Sequence, residues 1–347
     1  MRVAALTGYG QPLEIITLPD PVPPDDGVVL RVLACGICRS DFHVWNGDWR
    51  WRLPVSFPHI LGHECVGEIA ALGRGVSGWK VGDRVVVPFH LDCGRCRFCA
   101  EGRSNLCDHY TAIGFQAPGG FAELLAVPAA DRNLVRLDPR VDPILAAGLG
   151  CRLMTAWHAL NDQVQLTAGD RVAIFGGGGL GLSALVVARA VGAPVVVVDL
   201  NPAALELARK NGAVAAIDPS EATPDRLSQA LDGAPTVTVD AVGHRDAAGG
   251  ALAALAKGGA HLQLGLTGAG EQGMFPLPID RIVKAELRVL GSVGCPAPSY
   301  RRLLEAVASG RVNLGGLAPA RGGLDGISPV LEGMGSGRAA GLTVAIP

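Results

Sequence analysis

An apolar run from Arg171 closes at Phe175, and the chain turns at once through Gly176-Gly177-Gly178-Gly179-Leu180-Gly181 into a second apolar stretch that reaches Val191. A G-x-G-x-x-G turn between a buried strand and a helix admits few folds. Gly176 permits the tight turn, Gly178 brings the backbone close to a pyrophosphate, and Gly181 lets helix and strand pack closely. Gly179 and Leu180 open the helix, whose free N–H groups face the anion. The next run, Val195 to Val198, ends in Asp199, an acid where the adenosine ribose hydroxyls are held in such a site. Asp199 repels a 2'-phosphate, and Leu200, Asn201 and Pro202 bring no arginine to offset that, so NAD is expected rather than NADP. Alone, the glycines also fit an ordinary strand-to-helix turn, and Asp199 a solvent-facing helix N-terminus.

The rhythm around this turn predicts an α/β chain of two parts. From Val3 to about Val141, short apolar segments (Val28 to Leu33, Gly67 to Leu72, Arg84 to Pro88, Ala122 to Val127) alternate with glycine and proline turns, which predicts a β-rich, partly barrel-like unit. From Leu166 strands and helices alternate: Pro202 to Asn211, Ala215 to Asp218, Pro224 to Leu231, Val237 to Ala241, Ala247 to Ala256 and His261 to Gly265 continue the pattern of a doubly wound parallel sheet. After Arg288 to Gly291 come a helix at Tyr300 to Ser309 and a glycine-rich tail ending in Leu342 to Ile346, expected to rejoin the first unit. The boundaries expected are 1–150, completed by about 290–347, for the β-rich domain and 151–289 for the dinucleotide domain.

A chain of 347 residues has room for two cores. Its 30 basic and 32 acidic residues give a net charge of -2, no electrostatic reason for a nucleic-acid partner. No apolar run approaches the roughly 20 residues that cross a bilayer. The N-terminus lacks a secretory pattern, so a soluble protein of the reducing cytoplasm is expected. Nine cysteines there do not suggest a disulfide framework.

Four of them form C-x2-C-x2-C-x7-C: Cys93, Cys96, Cys99 and Cys107. Four thiolates close a tetrahedral ion completely, which is structural zinc chemistry; an iron-sulfur cluster or unligated cysteines remain alternatives. A second set, Cys38, His63 and Cys151, is dispersed. Taken singly, each is more often a packed core residue than a ligand.

Gly62-His63-Glu64 followed by Gly67, Gly73 and Gly82-Asp83-Arg84-Val85, then the four-cysteine lobe, the glycine turn and Ser336-Gly337-Arg338, stand in an order that resembles the zinc alcohol dehydrogenases of the medium-chain dehydrogenase/reductase family over essentially the whole chain. The resemblance implies a GroES-like catalytic domain with a Rossmann cofactor domain, two zinc ions per subunit, NAD, and interconversion of alcohols with aldehydes or ketones. It implies Cys38, His63 and Cys151 as catalytic zinc ligands and Glu64 as a carboxylate that approaches the metal. Ser40 and His43 match a proton relay ending near the surface, where a solvated histidine is the alternative role. Arg39 and Arg338 match residues near the cofactor phosphates, and Thr155 one beside the nicotinamide. Arg152-Leu153-Met154 puts bulk where the family often has small residues, with crowding expected at the nicotinamide end. A short Asp108 to Gly120 segment is similar to the microbial, often tetrameric, branch, so a homo-oligomer, tetramer or dimer, is expected.

Trp49 and Phe89 are the candidate pocket walls, suiting an apolar substrate; with Trp45 and Trp51, the tryptophans equally fit a core or subunit contact. Two rival readings are a polyol dehydrogenase of the same family and a non-enzymatic structural-zinc scaffold.

Overall fold

The computed structural model describes residues 1–337 and 340–347, which fall into two units. The first comprises Met1–Met154, Gly294–Ser309 and Ala318–Pro347, and the second Thr155–Val293 with Gly310–Leu317.

In the first unit the long strand Val28–Gly36 pairs antiparallel with Glu64–Leu72, with Leu124–Val127 and with Thr343–Ala345 near the C-terminus. Glu64–Leu72 in turn pairs with Arg84–Val87. Valine, isoleucine and leucine dominate these strands because branched side chains pack well on a pleated surface. Val28, Leu30, Cys35, Ile69, Val85 and Val87 belong to one buried core together with Leu6, Leu61 and Phe121. The register sets Gly36 opposite Glu64 and Cys35 opposite Cys65, so the residues that flank His63 are fixed by sheet pairing.

The second unit is built on a parallel sheet whose six strands, among the described residues, run Ala215–Ile217, Val195–Val198, Val172–Phe175, Val237–Asp240, Ala260–Gln263, Arg288–Gly291. In sequence order this is 3-2-1-4-5-6, the Rossmann arrangement, which reverses direction at the strand that feeds the glycine turn. Val172–Phe175 and Val195–Val198 are buried at every residue, as parallel strands covered on both faces must be. Two helices of this unit start where the sequence supplies both a polar cap and a proline. Asn201 accepts the Ala203 N–H before Pro202–Lys210, and Thr223 accepts the Arg226 N–H before Pro224–Leu231, each with proline in the first turn. No helix among the described residues is long and apolar enough to cross a membrane.

Candidate active site

Cys38 stands at the N-terminus of the helix Arg39–Trp45, just past the end of Val28–Gly36. Three residues on, the fully buried Asp41 accepts the Cys38 N–H at 2.8 Å, the Gly62 N–H at 3.1 Å and the Nδ1–H of His63 at 2.9 Å. An acid at the third helical position bonding back to the cap residue is the return half of a capping box. Here the same carboxylate also fixes the tautomer of His63. The other ring nitrogen, Nε2, is buried and has no hydrogen-bond partner, which is costly unless a metal takes its lone pair. Ligand atoms of Cys38, His63, Glu64 and Cys151 all lie within 4.8 Å of one another. Two sulfurs, an imidazole and a carboxylate on this scale are a donor set that fits zinc.

The thiols respond to this crowding. Cys38 is held well below the usual thiol range, first by a hydrogen bond from Cys151 and then, against burial, by His63; Cys151 is pushed up by the same shared proton and by burial. Burial lowers the His63 imidazole, but Asp41 and Cys38 outweigh it and hold the ring above its ordinary value.

Glu64 does not stand free. Arg152 Nε donates to Oε1 at 2.9 Å, the Arg152 backbone N–H donates to the same oxygen at 3.3 Å, and Nη2 donates to Oε2. Both residues are buried. Burial raises Glu64 to about 7 against the pull of Arg152. The carboxylate has room because residue 36 is glycine: a Cβ there would collide with Glu64 Oε2. Arg152, expected only as bulk together with Leu153 and Met154, has its side chain committed to Glu64.

Cys93, Cys96, Cys99 and Cys107 converge in the same unit, with Sγ–Sγ distances of 3.5 Å for Cys96–Cys99 and 3.8 Å for Cys96–Cys107. Tetrahedral zinc with Zn–S near ~2.3 Å would set its sulfurs ~3.8 Å apart. Backbone N–H groups of Cys93 and His109 donate to Cys107 Sγ, both at 3.3 Å. The Arg95 N–H is the main influence that holds the Cys93 thiol at about 6.

Ser40 Oγ lies 3.9 Å from Cys38 Sγ. His43, on the same helix, donates or accepts at Nδ1 with Asp48 Oδ2 at 2.7 Å and stacks on Trp49 with ring centroids 4.8 Å apart. Its exposure is 9%, so the expected surface position is corrected: Trp49 covers the ring. Trp49 also meets Phe115 edge-on at 6.5 Å, and Phe115 and Phe89 lie 4.7 Å and 6.0 Å from the His63 ring. Trp45 packs in the core, its Nε1–H on the Gln11 carbonyl, whereas Trp51 is exposed.

In the second unit Gly176 adopts φ +104°, open to glycine at no steric cost. A Cβ on Gly181 would run into the Gly176 carbonyl, and one on Gly178 would project into open space. Gly179 and Leu180 begin the helix Gly179–Ala190. Asp199 accepts the Gly177 N–H at 2.5 Å and the Asn201 N–H at 2.7 Å. Thr155 is buried in the short helix Met154–Trp157. Arg39, in the first unit, is exposed and donates from Nη1 to the Met334 carbonyl at 2.6 Å. Arg338 lies outside the described residues.

Residues 24–139 match the family described as "Alcohol dehydrogenase GroES-like domain", and residues 179–309 the one described as "Zinc-binding dehydrogenase". An alcohol dehydrogenase of Geobacillus stearothermophilus is 31% identical over 90% of each chain. A sorbitol dehydrogenase of Bacillus subtilis is 35% identical over 89% of this chain and 87% of its own. The chain belongs to the zinc-type alcohol dehydrogenases. An alcohol dehydrogenase structure from Aeropyrum pernix superposes on this member of the family with a TM-score of 0.90 and 27% identity over 100% of both chains.

Sequence reasoning on this zinc-type alcohol dehydrogenase missed Asp41, Asp48, Phe115 and the partner of Glu64. Asp41 had a signal, its place three residues after a helix-capping Cys38. Asp48 lay in the Trp45 to Trp49 stretch, but nothing local tied it to His43.

Proposed function

We propose that this protein interconverts alcohols with aldehydes or ketones by hydride transfer to and from NAD, with Cys38, His63 and Cys151 holding a catalytic zinc ion and Cys93, Cys96, Cys99 and Cys107 a structural one. The observation that carries it is the partnerless buried Nε2 of His63 among two cysteine sulfurs, with Nδ1 secured by Asp41. Zinc in that set supplies Lewis acidity, which makes an alcohol hydroxyl easier to deprotonate. NAD supplies the hydride acceptor.

The chain's own residues do the rest. Asp41 keeps His63 in the tautomer that presents Nε2. Ser40 and His43, three apart on one helix face, are the groups that pass the alcohol proton outward. With Nδ1 engaged by Asp48, the His43 atom that accepts the proton is Nε2. Trp49, Phe89 and Phe115 around His43 and His63 favour an apolar alcohol over a polyol, whose extra hydroxyls need polar partners. Asp199 supports NAD over NADP, since its charge opposes a 2'-phosphate and the exposed Leu200 beside it offers no cation.

A homo-oligomer, dimer or tetramer, suits the second unit. Its edge strand Arg288–Gly291 has one neighbour among the described residues, and Ile279, Val283 and Val289 nearby are exposed. Nine free cysteines favour a cytoplasmic setting. The test is an initial-rate screen of short, aromatic and polyhydroxy alcohols with both nicotinamide cofactors, alongside zinc analysis. Fastest turnover of aliphatic or aromatic alcohols with NAD, at about two zinc per chain, is the expected result; polyols turned over fastest would overturn the substrate reading.

A further inference from the structure

We infer that Arg152 is a positioning residue that holds the Glu64 carboxylate out of the metal's coordination sphere and so keeps one position of the Cys38–His63–Cys151 centre open. The inference rests on the reading of those three residues as metal ligands.

Four potential ligand atoms converge here, all within 4.8 Å. Were all four to bind, a tetrahedral ion would be closed and no substrate oxygen could reach it. A carboxylate is an ordinary zinc ligand, and Glu64 adjoins His63 in the chain, so something must withhold it. Arg152 does so with three donors: Nε and the backbone N–H on one oxygen, Nη2 on the other. The planar guanidinium matches both carboxylate oxygens at once, which a lysine could not do. Gly36, directly across the strand pair, leaves the space that the paired carboxylate occupies.

Charge balance agrees. Two thiolates already match a divalent ion, while Glu64 and Arg152 cancel as a separate buried pair. A carboxylate that moved to the metal would strand a buried guanidinium, the costly outcome for any broken interior ion pair. Because Arg152 follows Cys151 directly, the backbone turn that delivers the third ligand also delivers the clamp.

The test uses the full-length protein loaded with cobalt(II), with imidazole as a probe of the open position and the visible difference spectrum as readout. The closed four-cysteine set does not answer to imidazole. Wild type is expected to show a saturable change. In Arg152→Met the freed Glu64 takes the position, imidazole affinity falls by at least about tenfold, and a chelator strips cobalt more slowly. Arg152→Met combined with Glu64→Gln is expected to regain the wild-type response. Arg152→Gln gives the same readout where Arg152→Met does not accumulate folded. An unchanged imidazole midpoint and unchanged spectrum in the single variant overturn the clamp. A cobalt content unaltered by Cys38→Ser overturns the metal centre itself, which is a different failure.

Discussion

Asp41 accepts the Nδ1–H of His63 at 2.9 Å, with both side chains wholly removed from solvent. The same carboxylate grips the backbone N–H of Cys38, so one acid aligns two candidate ligands that lie far apart in the chain. Asp41→Asn is expected to lower zinc affinity or kcat/KM by about 10- to 100-fold. Zinc content after dialysis against a chelator, read beside kcat/KM, checks it; full metal retention with full activity refutes the bracing role.

His43 lies below its ordinary histidine value because burial disfavours the charged ring, Asp48 pulling partly the other way. As the proposed relay group the ring takes up the proton only when neutral, so alcohol oxidation is expected to be lost as pH falls through that value. Asp48→Asn removes the upward pull, and the acid limb of kcat/KM is expected to move to lower pH. A limb that stays in place would mean that His43 does not carry the proton.

Asp199→Gly combined with Asn201→Arg removes the charge that opposes a 2'-phosphate and adds one that welcomes it. The ratio of kcat/KM for NAD to that for NADP is expected to fall by about tenfold or more. Part of that loss comes from NAD itself, because Gly177 and Asn201 lose a shared acceptor. Paired initial rates with both cofactors decide, and an unaltered ratio removes Asp199 from the ribose.

Cys96→Ser opens the four-sulfur set. Zinc is expected to drop from about two to about one per chain, since a structural site needs all four ligands. Thermal unfolding should begin earlier while affinity for NAD, proposed to rest on the glycine turn and Asp199 of the other unit, holds. Zinc unchanged at about two per chain would show the lobe does not need that sulfur.

The dinucleotide unit was legible because its signals are local. Strand, glycine turn, helix and acid occur within a short span, and Val195–Val198 and Pro224–Leu231 begin where valine runs and Thr223-Pro224 place them. The β-rich unit was legible as strands but not as a pairing, since Gly36 meets Glu64 only through a register that hydrophobic alternation does not specify. Site residues followed the same divide. Cys93 to Cys107 stand out by spacing, whereas Cys38, His63 and Cys151 needed family resemblance to be joined. Arg152 read as unwanted bulk because its partner is 88 residues away, and His43 read as a surface group because the ring that covers it, Trp49, could equally have packed elsewhere.

The pairing of Thr343–Ala345 with Val28–Gly36 carries a consequence for biosynthesis. Leu124–Val127 covers the Val28–Arg31 part of that edge early, but the Cys35–Gly36 end, next to Cys38, waits during translation until nearly the whole intervening Rossmann segment has left the ribosome. Through that interval this short end offers unpaired N–H and C=O groups to a neighbouring strand. Closure of the sheet beside Cys38 is therefore a late event governed by long-range contact, and a nascent chain stalled within the Rossmann segment would carry that corner open.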